Sequence, residues 1–175
     1  MRILGIDPGL LATGFGVVER TGDQIFHIAH GTIRPARGLE LAQRLGVIAS
    51  EIERVIEQHA PERAVIEKVF VSASAKSALV LGQARGSALL ALAESELEIS
   101  EYSALEIKRA ITGTGRANKE QVQHMVRVLL GMDRKPPQDA ADALACAICH
   151  LHYAEVQQRQ TVARSADQIE KSKGL

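Results

Sequence analysis

The stretch Arg2-Ile3-Leu4-Gly5-Ile6-Asp7-Pro8-Gly9 decides how we expect the rest of the chain to fold. Its apolar run from Ile3 to Ile6 predicts a buried β-strand that delivers the carboxylate of Asp7 and then stops. Pro8 ends the strand because it has no backbone N–H and its φ is fixed. A carboxylate at the end of a buried strand loses hydration, so it needs a hydrogen-bond donor, a basic side chain or a metal ion beside it.

The composition is that of a single globular domain without an overall charge. The 175 residues are 46% hydrophobic, and 21 Lys and Arg residues balance 21 Asp and Glu residues. A nucleic-acid function therefore has to depend on local basic patches. The N-terminus has no long apolar run, and the most apolar stretch, 77–93, is interrupted by Gln83 and Arg85. We therefore expect no signal peptide and no membrane span, and we predict a cytoplasmic protein.

Two cysteines lie in the sequence Cys146-Ala-Ile-Cys149-His150, which formally matches the attachment motif of c-type haem. The motif lies inside an apolar helical stretch, which argues against haem attachment. A zinc site at these residues is also not expected, because zinc ligands usually come from separated segments of a chain. We therefore interpret both cysteines as reduced, mostly buried residues of a core helix.

Three strands and a crossover helix are expected in the first part of the chain. Short connections between the strands predicted at 3–6, 14–18 and 25–33 indicate an antiparallel meander. Apolar residues at helical spacing then predict a helix from Leu39 to His59, which Pro61 ends.

The fourth predicted strand, Ala64 to Glu67, is again apolar and again ends in an acid. A strand that is reached through a crossover helix usually lies parallel to an earlier strand. If this strand neighbours the first one, Asp7 and Glu67 emerge side by side at one edge of the sheet. Neighbouring strands are about 4.8 Å apart, which is close enough for two carboxylates to share a cation.

The remainder of the chain is predicted to be mostly helical. The helix from Ala75 to Ala93 is apolar on nearly every side, so one face should pack on the sheet. The other face indicates a second subunit, and core packing alone is the alternative. We predict a folded domain at 1–154 and a polar, flexible tail at 155–175. The other predicted elements are a strand at 97–100 and helices at 104–111, 118–130 and 138–153.

A second pair of acids lies near the start of the last predicted helix. Asp139 and Asp142 are three residues apart, so they share a helix face. The preference of acids for first helical turns could explain Asp139, but it does not explain Asp142 within an apolar run. Together with Asp7 and Glu67, these carboxylates would repel one another unless divalent metal were present. Oxygen ligands select Mg²⁺ or Mn²⁺, and two such ions could clamp both oxygens of a phosphoryl displacement.

Several separated motifs, taken together, resemble the RuvC family of Holliday-junction resolvases over residues 1–153. The motifs are Gly5-Ile6-Asp7-Pro8-Gly9, Thr13-Gly14-Phe15-Gly16, Ile66-Glu67-Lys68-Val69-Phe70, Leu81-Gly82-Gln83-Ala84-Arg85-Gly86 and Asp139-Ala-Ala-Asp142-Ala-Leu-Ala.

The resemblance implies a fold, an activity and partners. The fold is ribonuclease H-like, an α/β structure whose five-stranded mixed sheet has three antiparallel and then parallel strands, with helices on both faces. The activity is Mg²⁺-dependent nicking of two strands of a four-way DNA junction by a homodimer, which leaves 5′-phosphate and 3′-hydroxyl ends. Two Mg²⁺ ions per subunit, replaceable by Mn²⁺, and a branch-migration motor complex (RuvA and RuvB) are also implied. The implied catalytic metal ligands are Asp7, Glu67, Asp139 and Asp142.

The resemblance also implies contacts with DNA. The ring of Phe70 would stack on an unpaired base, a contact worth about 1–3 kcal/mol, and the alternative is a hydrophobic anchor of its loop. Lys108 and Lys119 match basic positions near the phosphate path, and Lys119 also opens a helix. Solvated surface lysines are the alternative there, and Arg85 could face DNA or pair within the dimer. Weaker candidates for DNA contact are Ser74, Lys76, Thr114, Gly115 and Arg116.

Two other functions remain open at this point. Asp7-Pro8-Gly9 with Thr13-Gly14 also looks like a phosphate-binding hairpin of sugar kinases and actin-like ATPases. Those enzymes need two related lobes around the nucleotide, and 175 residues supply one. A junction-binding module without catalysis is the other alternative. The two are distinguished by whether all four acids are required for cutting but not for binding.

Overall fold

A five-stranded mixed sheet forms the centre of this computed structural model, which describes residues 1–68 and 74–154. Phe70 and the tail predicted at 155–175 lie outside the described residues, so the division of the chain at 154 stays a prediction. The elements in chain order are β1 (Arg2–Asp7), β2 (Thr13–Thr21), β3 (Gln24–Ile33), α1 (Leu41–His59), β4 (Arg63–Lys68), α2 (Ala75–Glu94), β5 (Glu98–Ser103), α3 (Ala104–Thr112), α4 (Lys119–Leu129) and α5 (138–154).

The strand order β3-β2-β1-β4-β5 confirms the predicted topology. β1, β2 and β3 form the antiparallel meander, and β4 lies parallel to β1 after the crossover through α1. β5 then adds parallel to β4 after the crossover through α2. The sheet therefore brings the carboxyl ends of β1, β4 and β5 to the same edge.

Two of the element boundaries that differ from the sequence-based prediction have a visible cause. α1 begins at Leu41 because Glu40 caps it, in a capping box with Gln43. β5 ends at Ser103, three residues later than predicted, because its pairing with β4 continues to the end of that strand. Strand pairing of this kind is not visible in the local pattern.

The two faces of the sheet carry separate hydrophobic cores. Side chains alternate along a strand, so Leu4 and Ile6 of β1 pack on the side of α1 and α2. Ile3 of β1 and Val65 of β4 pack on the other side, with α3, α4 and α5. Asp7, at an odd position like Ile3, consequently faces α5.

Glycines let the backbone of α5 approach the sheet closely. A Cβ added to Gly5 would lie 2.0 Å from the carbonyl oxygen of Ala143, and one added to Gly14 would lie 1.9 Å from that of Asp139. Any side chain at these positions would push α5 away. The motif glycines of β1 and β2 thus determine how near the acids of α5 come to the end of β1.

The described residues also address the cysteine and membrane predictions. Cys146 and Cys149 are free and buried on α5, which confirms their interpretation as core residues. Within 1–68 and 74–154, no helix is both long and apolar enough to cross a membrane.

Candidate active site

Asp7 and Glu67, the strand acids, lie at the ends of two neighbouring parallel strands. The register of β1 and β4 pairs Ile6 with Ile66, so the next residue of each strand is an acid. Val65 belongs to the core on the α5 side, and Glu67, two residues later, faces the same side. The structure thus brings the strand acids together as the sequence predicts.

Asp139 and Asp142, the helix acids, lie in the first turns of α5, and each contacts a basic side chain. Nζ of Lys119 is 3.2 Å from Oδ2 of Asp142. Nη2 of Arg34, which directly follows β3, is 3.0 Å from Oδ2 of Asp139. The positive charges beside the helix acids therefore come from residues distant in the chain.

A cleft of about 420 Å³ opens where the strand acids meet α5. Three of the four acids line it, and Asp139 lies outside its lining. Apolar residues of α3 and α4 form much of the opposite wall, together with the side chains of two lysines. The lining residues are Asp7, Pro8, Glu67, Lys68, Leu81, Ala104, Ile107, Lys108, Lys119, Val122 and Asp142.

Burial and mutual repulsion disturb the ionisation of this cluster. Burial, then the charges of Asp142 and Glu67, raise the pKa of Asp7 to about 7. Burial and the charge of Asp142 also raise the pKa of Glu67. The pKa of Asp142 is raised by burial, although Lys119 opposes that rise. The cluster therefore carries more negative charge than its surroundings compensate.

Lys119 is the basic group that responds most to this charge. Burial alone would lower the pKa of its ammonium, but the carboxylates of Asp142, Asp7 and Glu67 outweigh burial and raise it. Asn118 caps α4 by accepting a hydrogen bond from the N–H of Gln121, which fixes the start of the helix next to Lys119. Lys119 therefore stays charged and points into the acidic cluster.

The acids do not yet form a closed coordination sphere. Among residues 1–68 and 74–154, no three His, Cys, Asp or Glu side chains converge closely enough to hold a metal ion. The ion pairs of the helix acids use one oxygen of each carboxylate, Oδ2 of Asp139 and Oδ2 of Asp142. A cation bound by all four acids would share these two carboxylates with Arg34 and Lys119.

Comparison with known proteins identifies the family. Residues 3–150 match the family model described as "Crossover junction endodeoxyribonuclease RuvC". The chain belongs to the RuvC family. A RuvC protein of Bordetella avium is 51% identical over 173 residues, covering 99% of this chain and 96% of that protein.

Solved structures agree with this family and with the predicted ribonuclease H-like fold. The structure described as Thermus thermophilus RuvC in complex with Holliday junction substrate has a TM-score of 0.84 and 32% identity, covering 90% of this chain and 96% of that chain. The yeast mitochondrial Holliday junction resolvase Ydc2 is similar in fold alone, with a TM-score of 0.68 and 11% identity, covering 93% of this chain and 83% of that chain.

The lysines that the RuvC resemblance singles out are close to the acids. Lys108 on α3 and Lys119 on α4 both line the cleft. Lys76, by contrast, is exposed in the first turn of α2 and lines a separate shallow groove with Leu11. Ser74 caps α2 by accepting a hydrogen bond from the N–H of Ser77. Its hydroxyl therefore has a structural role at the start of the helix.

The glycine loop after α3 uses part of its hydrogen-bonding capacity internally. The N–H of Thr114 donates to the hydroxyl of Thr112, and the N–H of Arg116 donates to the hydroxyl of Thr114. Gly115 packs beside Leu105, where a Cβ would lie 2.3 Å from a methyl carbon. The loop is thus shaped by its own contacts, and its role in phosphate binding stays a prediction.

Sequence reasoning missed Arg34 and left Arg85 undecided. Arg34 contacts an acid 105 residues away, and no local pattern signals such a pair. Arg85 forms an ion pair with Glu101 and donates a hydrogen bond to the backbone carbonyl of Glu67. Both contacts join α2 to the sheet within this chain.

Proposed function

We propose that this chain is a structure-selective endonuclease that resolves four-way DNA junctions in recombination and repair. One observation carries the proposal: Asp7, Glu67 and Asp142 face a single cleft together with Lys119. Carboxylates that hold divalent ions support phosphodiester hydrolysis, and lysines beside them attract phosphate. The family assignment, and a homologous structure that contains Holliday junction substrate, support the same activity.

A divalent cation fits the donor chemistry of this cleft. Because Asp7 has a pKa of about 7 through burial and repulsion, a cation that compensates the charge would stabilise the ionised cluster. All side-chain donors are carboxylate oxygens, which favour Mg²⁺ or Mn²⁺. We propose that two ions per subunit are held by Asp7, Glu67, Asp139 and Asp142. Bound there, they would supply Lewis-acid activation of the scissile phosphate and of water.

The protein's own groups prepare the cleft for a DNA backbone. Lys108 and Lys119 place positive charge on one wall, where it attracts phosphate and orients the strand. Lys119 also favours the ionised form of Asp142. The apolar side chains of Ile107 and Val122 keep part of that wall free of water, which strengthens these electrostatic interactions.

A homodimer is proposed because α2 has an uncovered apolar face. Leu79 is 65% exposed and Leu90 is 57% exposed, and the exposed Gly82 and Gly86 lie between them on the same face. A Cβ added to either glycine would meet nothing within 4 Å. Spacings of three and four residues with small residues at the centre suit close packing of two helices. Two active sites would then give two symmetric nicks with 5′-phosphate and 3′-hydroxyl ends.

Sedimentation velocity tests the dimer directly. The double substitution Leu79→Lys and Leu90→Lys should convert the dimer to a monomer, because it buries charge in the contact. Val128→Lys on α4 is the matched control, since Val128 is also half exposed but lies on another helix. A wild-type monomer, or a dimer that survives the double substitution, would remove this part of the proposal.

Four further expectations remain predictions. The stacking role of Phe70 concerns a residue outside the described part of the chain. A partner complex of RuvA and RuvB and a cytoplasmic location are implied by the resemblance and by the sequence, respectively. A mobile tail at 155–175 follows from composition alone.

Cleavage of a synthetic mobile four-way junction tests the function. With Mg²⁺, the wild-type protein should nick the junction in two strands and leave linear duplex uncut; without Mg²⁺ it should cut neither. Asp7→Asn should reduce the cleavage rate about 10³-fold, as expected for several kcal/mol of lost transition-state stabilisation, and keep junction binding. Asp23→Asn in the β2–β3 turn is the control for loss of one carboxylate.

The alternatives predict different results in the same assay. A junction-binding module without catalysis would bind the junction and cut nothing, with or without metal. A phosphate-binding lobe of the kinase or actin type would show no preference for the junction. Full cleavage by Asp7→Asn in Mg²⁺ would contradict the proposed metal ligands.

A further inference from the structure

Arg85 links α2 to the strand that carries Glu67. Its Nε–H donates to the backbone carbonyl of Glu67 at 3.1 Å, and its Nη2 forms an ion pair with Glu101 on β5. Only 19% of its side chain is exposed. One partly buried guanidinium thus connects a helix and two neighbouring strands, using two of its donors in a fixed geometry.

The contact is located where β4 loses one of its neighbours. The register of β1 and β4 ends with the pair Ile6–Ile66, so Glu67 lies beyond the paired part of β1. β5 still accompanies β4 there, since Glu101 pairs with Ile66 and Tyr102 pairs with Glu67. Arg85 supplies a hydrogen bond to the carbonyl of Glu67 at this less constrained point.

The side chain and the backbone carbonyl of Glu67 therefore have different surroundings. Its carboxylate faces the cleft on the α5 side of the sheet, whereas its carbonyl is held from the opposite side by α2. Holding the carbonyl restricts rotation of the peptide plane that follows Glu67, and this limits the directions in which the Glu67 side chain can leave the backbone. A metal ligand needs such support, because affinity falls when the groups that orient a ligand are lost.

We propose that Arg85 and Glu101 form a positioning pair that orients Glu67 for metal binding. The pair links α2 directly to the strand that carries Glu67. The uncovered face of the same helix is the one that we assign to the dimer contact. Arg85 is adjacent in sequence to Gly86 on that face. This inference rests on the proposed function, and it assigns a task to an arginine whose two contacts join α2 to β4 and β5.

Mn²⁺ binding, followed by electron paramagnetic resonance, tests the pair without relying on activity. Arg85→Lys keeps the charge but loses the fork that reaches both partners, and Glu101→Gln removes the ion pair. Each variant should weaken Mn²⁺ binding about 10-fold and raise the Mn²⁺ concentration needed for half-maximal junction cleavage by a similar factor. The double variant should be no worse than either single one, because both break the same unit.

Arg63→Lys is the matched control, because Arg63 on β4 also forms an ion pair with a glutamate of β5, Glu98, at the opposite end of these strands. Arg63→Lys should leave Mn²⁺ binding unchanged, and all variants should remain dimers with wild-type junction affinity. Unchanged Mn²⁺ binding in both test variants overturns the inference. An equal loss in the control, or a loss that accompanies dissociation or unfolding, also overturns it. A wild-type protein that neither binds Mn²⁺ nor cuts the junction overturns the proposed function first.

Discussion

The helix acids and the strand acids of the site have opposite surroundings. Each helix acid contacts a basic side chain, Arg34 for Asp139 and Lys119 for Asp142. Neither strand acid forms an ion pair with a described residue, and the pKa of Asp7 is raised to about 7, mainly by burial. The acids of α5 therefore have basic side chains in direct contact, whereas the charge of Lys119 reaches the acids at the strand ends only through space.

This difference predicts how the contacts of the site would change if a divalent cation were bound. The strand acids and the helix acids would hold a divalent cation together only if Arg34 and Lys119 gave up part of their contact with the helix acids. Arg34 and Lys119 would then be available to contact phosphate. Metal binding and DNA binding are thus expected to favour one another.

The comparison depends first on the close approach of α5 to the sheet, and Gly5→Ala should break that approach. The added Cβ would lie 2.0 Å from a backbone oxygen of α5, so the helix has to shift. We expect the free energy of unfolding, measured in urea, to fall by about 3 kcal/mol. Gly46→Ala on α1 is the control, because its Cβ meets nothing within 4 Å, and it should raise stability by about 0.5–1 kcal/mol. Equal effects of the two substitutions would contradict the tight contact.

The unpaired state of the strand acids predicts how the stability of the metal-free protein depends on pH. Folding raises the pKa of Asp7 from 3.8 to about 7, so its stabilising contribution is complete below pH 3.8 and is lost as the pH rises toward 7. Asp7→Asn should therefore be more stable than wild type at pH 8 in EDTA by about 1–3 kcal/mol, and this advantage should vanish near pH 4. Three pKa units set an upper limit of about 4 kcal/mol.

Chemical denaturation of both proteins across this pH range measures the difference. Asp23→Asn, which removes an exposed acid, should show no such pH-dependent advantage. The prediction is wrong if the difference in unfolding free energy between Asp7→Asn and wild type is the same at every pH, or has the opposite sign. Either result would show that burial and repulsion do not destabilise the ionised form of Asp7.

The smallest expected effect concerns the pair that compensates Asp139. Arg34 is 63% exposed, and exposed ion pairs contribute about 0.2–1 kcal/mol. Arg34→Gln should remove a competing cation and tighten Mn²⁺ binding about two- to fivefold at low salt. Isothermal titration with Mn²⁺ measures the change, and Arg37→Gln in the same loop is the control. Weaker Mn²⁺ binding by Arg34→Gln would mean that Arg34 orients Asp139 for the metal.

The sequence predicted the strand half of the site well, for a physical reason. Ile3 to Ile6 and Ala64 to Ile66 are short apolar runs that end in acids, and the handedness of crossover connections leaves few ways to arrange them. Strand adjacency then follows, and with it the proximity of Asp7 and Glu67. The spacing of Asp139 and Asp142 likewise fixed their common helix face.

The sequence could not predict contacts that depend on how elements approach one another in space. The pairs of Arg34 with Asp139 and of Arg85 with Glu101 join separate elements, and neither has a local signature. Gly5 looks like an ordinary strand residue until α5 is placed against it. The exact end of β5 depends in the same way on the length of its neighbour.

The two buried cysteines of α5 can report how often α5 separates from the sheet in the native protein. Cys146 and Cys149 are free and inaccessible, and burial raises the pKa of the Cys149 thiol to about 12. A thiol reagent can therefore modify them only when α5 leaves the sheet, and thiolate is scarce even at alkaline pH. The rate of alkylation thus reports how often the native protein exposes the layer beneath its acids, without any introduced label.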